Sequence, residues 1–277
     1  MPTETDQKLL DAARSGDREA LEELLERHQS QIYRFGMKMC GDREDARDVL
    51  QDTLLAMARG VRDFRGESSI STWLYTVARS FCIKKRRRSK FAPETVHSLE
   101  TDLAVDAKAL ADPAESPAEA LVGKRIEEGL AKAIGDLEPK YREVLVLRDM
   151  EGLSAKEVAE VLGIGLDAVK SRLHRARLAV RAHMAPLLGI SPDGTAAASR
   201  SCPDVLNFFS RHLEDELSPE VCSEMERHLA ACGRCRGACE SLRRTLRLCQ
   251  TAPAPTVPED IQRSVRAAVR AFLADSR

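Results

Sequence analysis

Two groups of side chains in this 277-residue chain have the types and spacing to do chemistry. The first is His228-x3-Cys232-x2-Cys235. A His and a Cys four apart share one face of a helix, and Cys-x-x-Cys wraps the helix end around one ion. Cys202, 26 positions before His228, can supply a fourth ligand and complete a Cys3His set. Four protein ligands around a tetrahedral ion close the site, which is the pattern of structural zinc. A zinc hydrolase needs an open coordination position and a nearby general base, so that class ranks far lower. Six of the eight cysteines lie beyond residue 200, more than one zinc needs, and soft thiolates also suit Cu(I) or a cadmium-like ion. Cys222, Cys239 and Cys249 read as buried apolar side chains.

The second group is cationic. From Ala168 to Arg181 the chain carries Lys170, Arg172, Arg175, Arg177 and Arg181 with Ser171 and His174 among them, and no acid after Asp167. Val169, Leu173, Ala176 and Val180 make one apolar stripe at helical spacing. A helix with one apolar side and a basic remainder suits a major groove, where some side chains reach base edges and others phosphates.

The elements that must position these groups follow from periodicity and caps. Pro139 opens a helix that Gly152 stops. Ser154 and Glu157 form a capping box for a short helix through Val158, Ala159 and Leu162 to Gly163, and Asp167 can cap the basic helix. Two helices joined by a short Gly-containing turn make a helix-turn-helix outline. Towards the N-terminus, helices are expected through Leu9 to Ala13, then from Asp17 to Gly41, then from Asp42 to Arg59. His28 and Cys40 read as packed core residues. After the loop Phe64–Ser71, Ser71 can cap a helix that contains Trp73 and runs into six cations among positions 84 to 90. Residues 91–121 carry three prolines, seven acids and one lysine, a flexible acidic connector whose ends would average roughly 30 Å apart, with a contour of about 100 Å. Leu121–Ile134 is helical, a small-residue linker occupies 189–200, and helices follow in the Cys-rich tail. A last amphipathic helix spans Glu259 to Ala274, with Ile261, Val265, Ala268 and Phe272 on its apolar face.

Composition agrees. Aromatics are 4%, charged residues 31%, and the net charge is −1, so any nucleic-acid binding must come from local patches. The expected class is all-α: two small helical domains plus a C-terminal helical zinc-finger-like module. No apolar run approaches the ~20 residues of a membrane span. The N-terminus is polar and acidic rather than a leader, so the chain is expected in the cytoplasm, with no membrane partner.

Glu157-Val-Ala-Glu-Val-Leu-Gly163 followed by Val169-Lys-Ser-Arg-Leu-His-Arg-Ala-Arg177 resembles the promoter-reading C-terminal domain of extracytoplasmic-function (ECF) sigma factors of bacterial RNA polymerase. Asp167-Ala168 stands where that family commonly has Gly-Thr. The resemblance extends to Asp45-Ala-Arg-Asp-Val-Leu-Gln-Asp-Thr53, similar to the family's helix that grips the polymerase β′ coiled coil. It implies Asp45, Asp48, Gln51 and Asp52 as polymerase contacts. In the family, the loop before the Trp73 helix captures a base from the opened −10 element. That implies Gly66, Ser68, Ser69 and Trp73 at a base pocket, and Arg79, Lys84, Arg86 and Arg87 along the separated strands. Ala78-Arg79-Ser80 departs from the usual Ala-Arg-Asn. Cys202, His228, Cys232 and Cys235 match the motif of the zinc-binding anti-sigma domain.

The reading is thus a sigma factor with a regulator fused behind it. Residues 1–90 would bind core polymerase (β′ and β subunits) and open the −10 element. Residues 91–120 form the linker. Residues 121–188 would read the −35 element through Lys170, Ser171, Arg172, His174, Arg175 and Arg177. Residues 201–250 form the Zn2+ module and 251–277 a Pro-rich linker and helix, the tail contacting the sigma domains in cis. The rival reading is a helix-turn-helix regulator acting without polymerase, which has no use for the acidic helix or the loop before Trp73.

Overall fold

A computed structural model of the protein describes residues 4–91, 117–189, 202–253 and 255–275. The acidic connector over 92–116 and the linker over 190–200 lie outside the described residues. The fold is all-α, with two compact units. The first comprises Met1–Asp106, Glu160–Leu162 and Pro253–Arg277; the second comprises Ala107–Ala159 and Gly163–Ala252.

In the first unit, α1 (Glu4–Arg14) precedes α2 (Arg18–Cys40), α3 (Arg43–Gly60) and α4 (Ile70–Phe91). Asp17 caps α2, accepting from the Glu19 and Ala20 amides, and Asp42 caps α3 through the Asp45 amide. Gly41, at φ +73°, makes the left-handed turn between these two helices at no steric cost. Leu24, Ile32 and Phe35 from α2 share a core with Ala46, Val49, Leu50 and Met57 from α3 and Leu74 and Ala78 from α4. Gly36 permits the close approach of α2 to α3, since a Cβ there would lie 3.2 Å from the Ala46 Cα. Phe35 meets Tyr75 edge-on at 5.3 Å.

The C-terminal helix, here α12 (Glu259–Asp275), belongs to this unit and packs on α3. Its buried stripe is Ile261, Val265 and Val269, so Val269 takes the place expected of Ala268. Polar and cation–ring cross-links surround the stripe. Arg43 pairs with Asp260 at 2.9 Å, Arg266 with Glu26 at 3.1 Å and Arg270 with Glu22 at 3.4 Å, while Arg59 lies 4.9 Å over the Phe272 ring. Arg18 donates to the Leu273 carbonyl at the end of α12.

In the second unit, α5 (Pro117–Gly135) starts four residues before the expected position. It is followed by α6 (Pro139–Leu145) and a π-helical turn, Val146–Met150. Next come α7 (Ala155–Leu162) and α8 (Leu166–Leu187), then α9 (Val205–His212), α10 (Pro219–Ala231) and α11 (Gly233–Thr251). The capping box forms: Glu157 accepts from the Ser154 amide at 2.8 Å, and the Ser154 hydroxyl accepts from the Glu157 amide at 3.2 Å. Val169, Leu173, Ala176 and Val180 are buried as the stripe requires. Cys239 and Cys249 are buried in α11. Val205, Phe209, Cys235, Cys239, Leu242 and Leu246 build the small core of the tail, and α11 packs on α8.

Two expected caps move. Ser69, not Ser71, caps α4, accepting from the Thr72 amide at 3.1 Å. The helix starts two residues earlier, at Ile70, because Ser69 already has the right offset. Asp167 sits inside the first turn of α8, whose N-cap is Gly165. There its charge still favours the helix N-terminus. No helix among the described residues is long and apolar enough to cross a membrane.

Leu173→Ala, which opens a cavity in the core of the second unit, should cost about 2–5 kcal/mol. Ser154→Ala, which loses the cap, should cost about 1 kcal/mol. Urea denaturation of the full chain followed by far-UV circular dichroism measures both, and equal effects would remove the distinction between core and cap.

Candidate nucleic-acid faces and metal centre

The four residues expected to bind metal come together. One ligand atom from each of Cys202, His228, Cys232 and Cys235 lies within 4.8 Å of every other. The helix end explains how. Cys232 closes α10, its amide donating to the His228 carbonyl at 2.8 Å, and Cys235 lies in the first turn of α11. Cys202 reaches them from the segment before α9 and packs against the tail core. The donor set suits a soft or borderline cation. His228 Nε2 is buried without a hydrogen-bond partner, as a nitrogen kept for a metal would be. Burial, reinforced by Cys232 and Cys202, pushes the Cys235 thiol up to about 12, while hydrogen bonds from Cys235 lower Cys232. Crowded sulfurs of this kind are relieved by one shared cation. Cys222 stands apart, half-buried with its sulfur 3.5 Å from His212 Nδ1.

The basic face of α8 is divided. Ser171 and Arg175 are exposed, Arg172, Lys170 and His174 half-buried. Arg175 donates to the Tyr141 hydroxyl at 3.2 Å. Arg177, placed by its sequence position on the outward basic face, is instead buried, with 2% of its side chain exposed. Its guanidinium bonds both carboxylate oxygens of Asp149 at 2.6 and 2.9 Å, Glu214 at 2.8 Å, and the Ser210 hydroxyl at 3.2 Å. Burial works against its charge, yet these two acids raise its pKa overall. Arg148 joins Glu214 at 3.0 Å, and Lys170 pairs with Glu216.

Glu214 and Glu216 were not legible as site residues. They lie in the turn after α9, where Asp215 takes a left-handed conformation (φ +55°). That turn aims both flanking glutamates at cations of α8 and the π-helical turn. The only signal in the chain is the acidic run Glu214-Asp-Glu216, which has no spacing rule attached to it.

In the first unit Asp45, Asp48 and Gln51 are half-buried and Asp52 is exposed. Lys85 of α4, also unanticipated, bridges Asp45 at 3.2 Å and Asp48 at 2.5 Å. Burial opposes ionisation of Asp48, but Lys85 and Arg47 together hold its carboxyl below the usual range. Gly66 is exposed and Ser68 half-buried in the loop, while the Ser69 hydroxyl serves the α4 cap and meets Thr72 Oγ1 at 2.8 Å. Trp73 is half-buried, its ring 5.4 Å from Phe64. Lys84 and Arg87 are exposed, and Arg79 and Arg86 half-buried, on the same helix. One helix therefore carries the aromatic and the cations.

Comparison with known proteins matches three stretches to families. Residues 24–91 match "Sigma-70 region 2", 127–180 match "Sigma-70, region 4", and 202–236 match "Putative zinc-finger". The chain is 32% identical over 192 residues to the RNA polymerase sigma-H factor of Pseudomonas aeruginosa, covering 67% of this chain and 96% of that protein. It is 34% identical over 185 residues to the ECF RNA polymerase sigma factor SigM of Mycobacterium tuberculosis, covering 67% and 85%. With the ECF RNA polymerase sigma factor SigW of Bacillus subtilis the identity is 28% over 183 residues, covering 66% and 97%. The helix-turn-helix of α7 and α8, the acidic and aromatic helices of the first unit and both sigma-70 region matches agree: the chain belongs to the extracytoplasmic-function family of RNA polymerase sigma factors, and a zinc-finger-type domain follows its second sigma region.

Proposed function

We propose that this ECF sigma factor, which directs RNA polymerase to specific promoters and starts transcription there, is held in check by its own tail. Residues 1–90 engage core polymerase, with Asp45, Asp48, Gln51 and Asp52 meeting the β′ subunit. Gly66, Ser68, Ser69 and Trp73 then receive an unstacked base of the −10 element, and Arg79, Lys84, Arg86 and Arg87 follow the strand. Lys170, Ser171, Arg172, His174, Arg175 and Arg177 read the −35 duplex.

The observation that carries the regulatory reading is the seating of Glu214 and Glu216 on Arg177, Arg148 and Lys170. Two tail carboxylates occupy cations that phosphates would otherwise claim. Tethering supplies the tail at up to millimolar local concentration, so a weak contact suffices. In the first unit α12 makes a second contact of its own, with exposed pairs to Glu22, Glu26 and Arg43 around a buried apolar stripe. Cys202, His228, Cys232 and Cys235 would hold Zn2+, which would supply a structural cross-link between the segment before α9 and the α10–α11 junction. These residues join the start of α9 to the α10–α11 junction, and so brace the two helices on either side of the turn that carries Glu214. Oxidation or metal exchange at the cysteines frees that turn.

Reconstituted transcription with core polymerase tests this. Residues 1–190, and the full chain carrying Glu214→Gln with Glu216→Gln, should each give several-fold more transcript than the full chain. Unchanged output from both would end the inhibitory reading, and lost output would make the tail an activator. In the glutamine variant, Arg172→Ala or Arg175→Ala should weaken duplex binding. A lost phosphate contact should make the slope of log K against log salt shallower by about one. The purified chain should carry one zinc per molecule by elemental analysis, and Cys202→Ser or a strong chelator should lower it; full zinc in the variant would remove Cys202 from the ligand set.

A further inference from the structure

Cys40 and Cys82 have no part in the faces and metal centre above. Cys40 is the last residue of α2, and Cys82 lies midway along α4. Their sulfurs are in hydrogen-bonding contact at 3.6 Å. Cys82 is fully buried, whereas Cys40 is partly open to solvent. A disulfide needs about 2 Å between sulfurs, so the pair already in contact has only that remaining gap to close. The contact with Cys82 lowers the Cys40 pKa; burial and Asp45 oppose this, and Arg86 and Lys85 add to it. One thiol is accessible and the other is positioned to resolve it.

We propose that Cys40 and Cys82 form a peroxide-reactive dithiol, whose oxidation cross-links α2 to α4 and lowers the affinity of the chain for core polymerase. The Cys40 thiolate attacks one peroxide oxygen and breaks the O–O bond. Cys40 becomes a sulfenic acid, and the other oxygen leaves as alcohol or water. The Cys82 sulfur attacks the sulfenic sulfur, the S–S bond forms and the S–O bond breaks, releasing water. Overall, two thiols and one hydroperoxide give one disulfide, one alcohol and one water, with both sulfurs oxidised and the peroxide reduced.

The functional half rests on the reading of Asp45 and Asp48 as polymerase contacts. Lys85 lies three residues after Cys82, less than one helical turn away, and holds both carboxylates. Those carboxylates must be shared with, or released to, a polymerase cation. A covalent tether at Cys82 limits the excursion of that turn and keeps Lys85 where it is.

The test uses the full-length chain, wild type and Cys40→Ser, reduced or treated with hydrogen peroxide. Differential alkylation and peptide mass mapping should find a Cys40–Cys82 linked peptide only in treated wild type. Competition for core polymerase should show several-fold weaker binding for treated than for untreated wild type, relative to the same ratio in Cys40→Ser. That comparison cancels any response of the tail cysteines, which both proteins share. Cys82→Ala should behave as Cys40→Ser does. Absence of the linked peptide overturns the dithiol. A linked peptide with equal binding ratios overturns the effect on polymerase. Asp48→Ala separates the two readings: if it leaves polymerase affinity unchanged, the acidic face is misassigned, while the peptide map still decides the dithiol.

Discussion

A guanidinium cannot be taken out of water for nothing. Burying an isolated ion costs several kcal/mol even after relaxation, and only close, well-aligned counter-charges offset it. The second unit is organised around that constraint. Arg177 is buried in the middle of α8, and its charge is met by Asp149 from the π-helical turn and by Glu214 from the tail. The Ser210 hydroxyl takes a further donor. Asp149 belongs to the part of the unit that matches sigma-70 region 4, and Glu214 belongs to the part that matches the zinc-finger family. The two halves therefore share one ion, and neither can satisfy it in the same way alone. Such a contact is specific, because removing either acid leaves a buried charge short of a partner.

The contact made by α12 in the first unit is of another kind. Its ion pairs are exposed, and pairs of that sort contribute about 0–1 kcal/mol each. Burial of Ile261, Val265 and Val269 contributes more, on the order of 1.5–3 kcal/mol per side chain. Apolar area holds the helix, and the charges choose its register. The tail thus uses a desolvated ion on one unit and an apolar stripe on the other. Salt should loosen the surface pairs of α12 far more than the buried ion of α8.

Local chemistry was legible in the chain. The Ser154–Glu157 box, the Asp17 and Asp42 caps and the metal cluster are each written within a few positions, Cys202 excepted, and folding leaves such offsets intact. The apolar stripe of α8 was legible for the same reason. What escaped was set by partners distant in the chain. Arg177 reads as one more cation of a basic helix until Asp149, 28 positions away, and Glu214, 37 away, are brought to it. Lys85 reads as part of a basic run until α4 lies beside Asp45 and Asp48. The π-helical turn escaped because Val144, Leu145, Val146 and Leu147 are all buried. With no polar face among them, periodicity has nothing to report. Ser69 and Ser71 are equivalent as caps on sequence, because three serines crowd that loop and hydroxyl type alone does not choose among them.

The turn at Val146–Met150 holds one residue more than an α-helix would use for the same advance. At 3.6 residues per turn, losing that residue would swing every later side chain of the segment by about 100° around the axis. Asp149 would then point away from α8, and the guanidinium would lose its two-pronged partner. Relatives that trim this turn by one position should therefore have traded the arginine for an uncharged side chain. Length here and charge there would be inherited as a pair, although neither touches a promoter in the docked state.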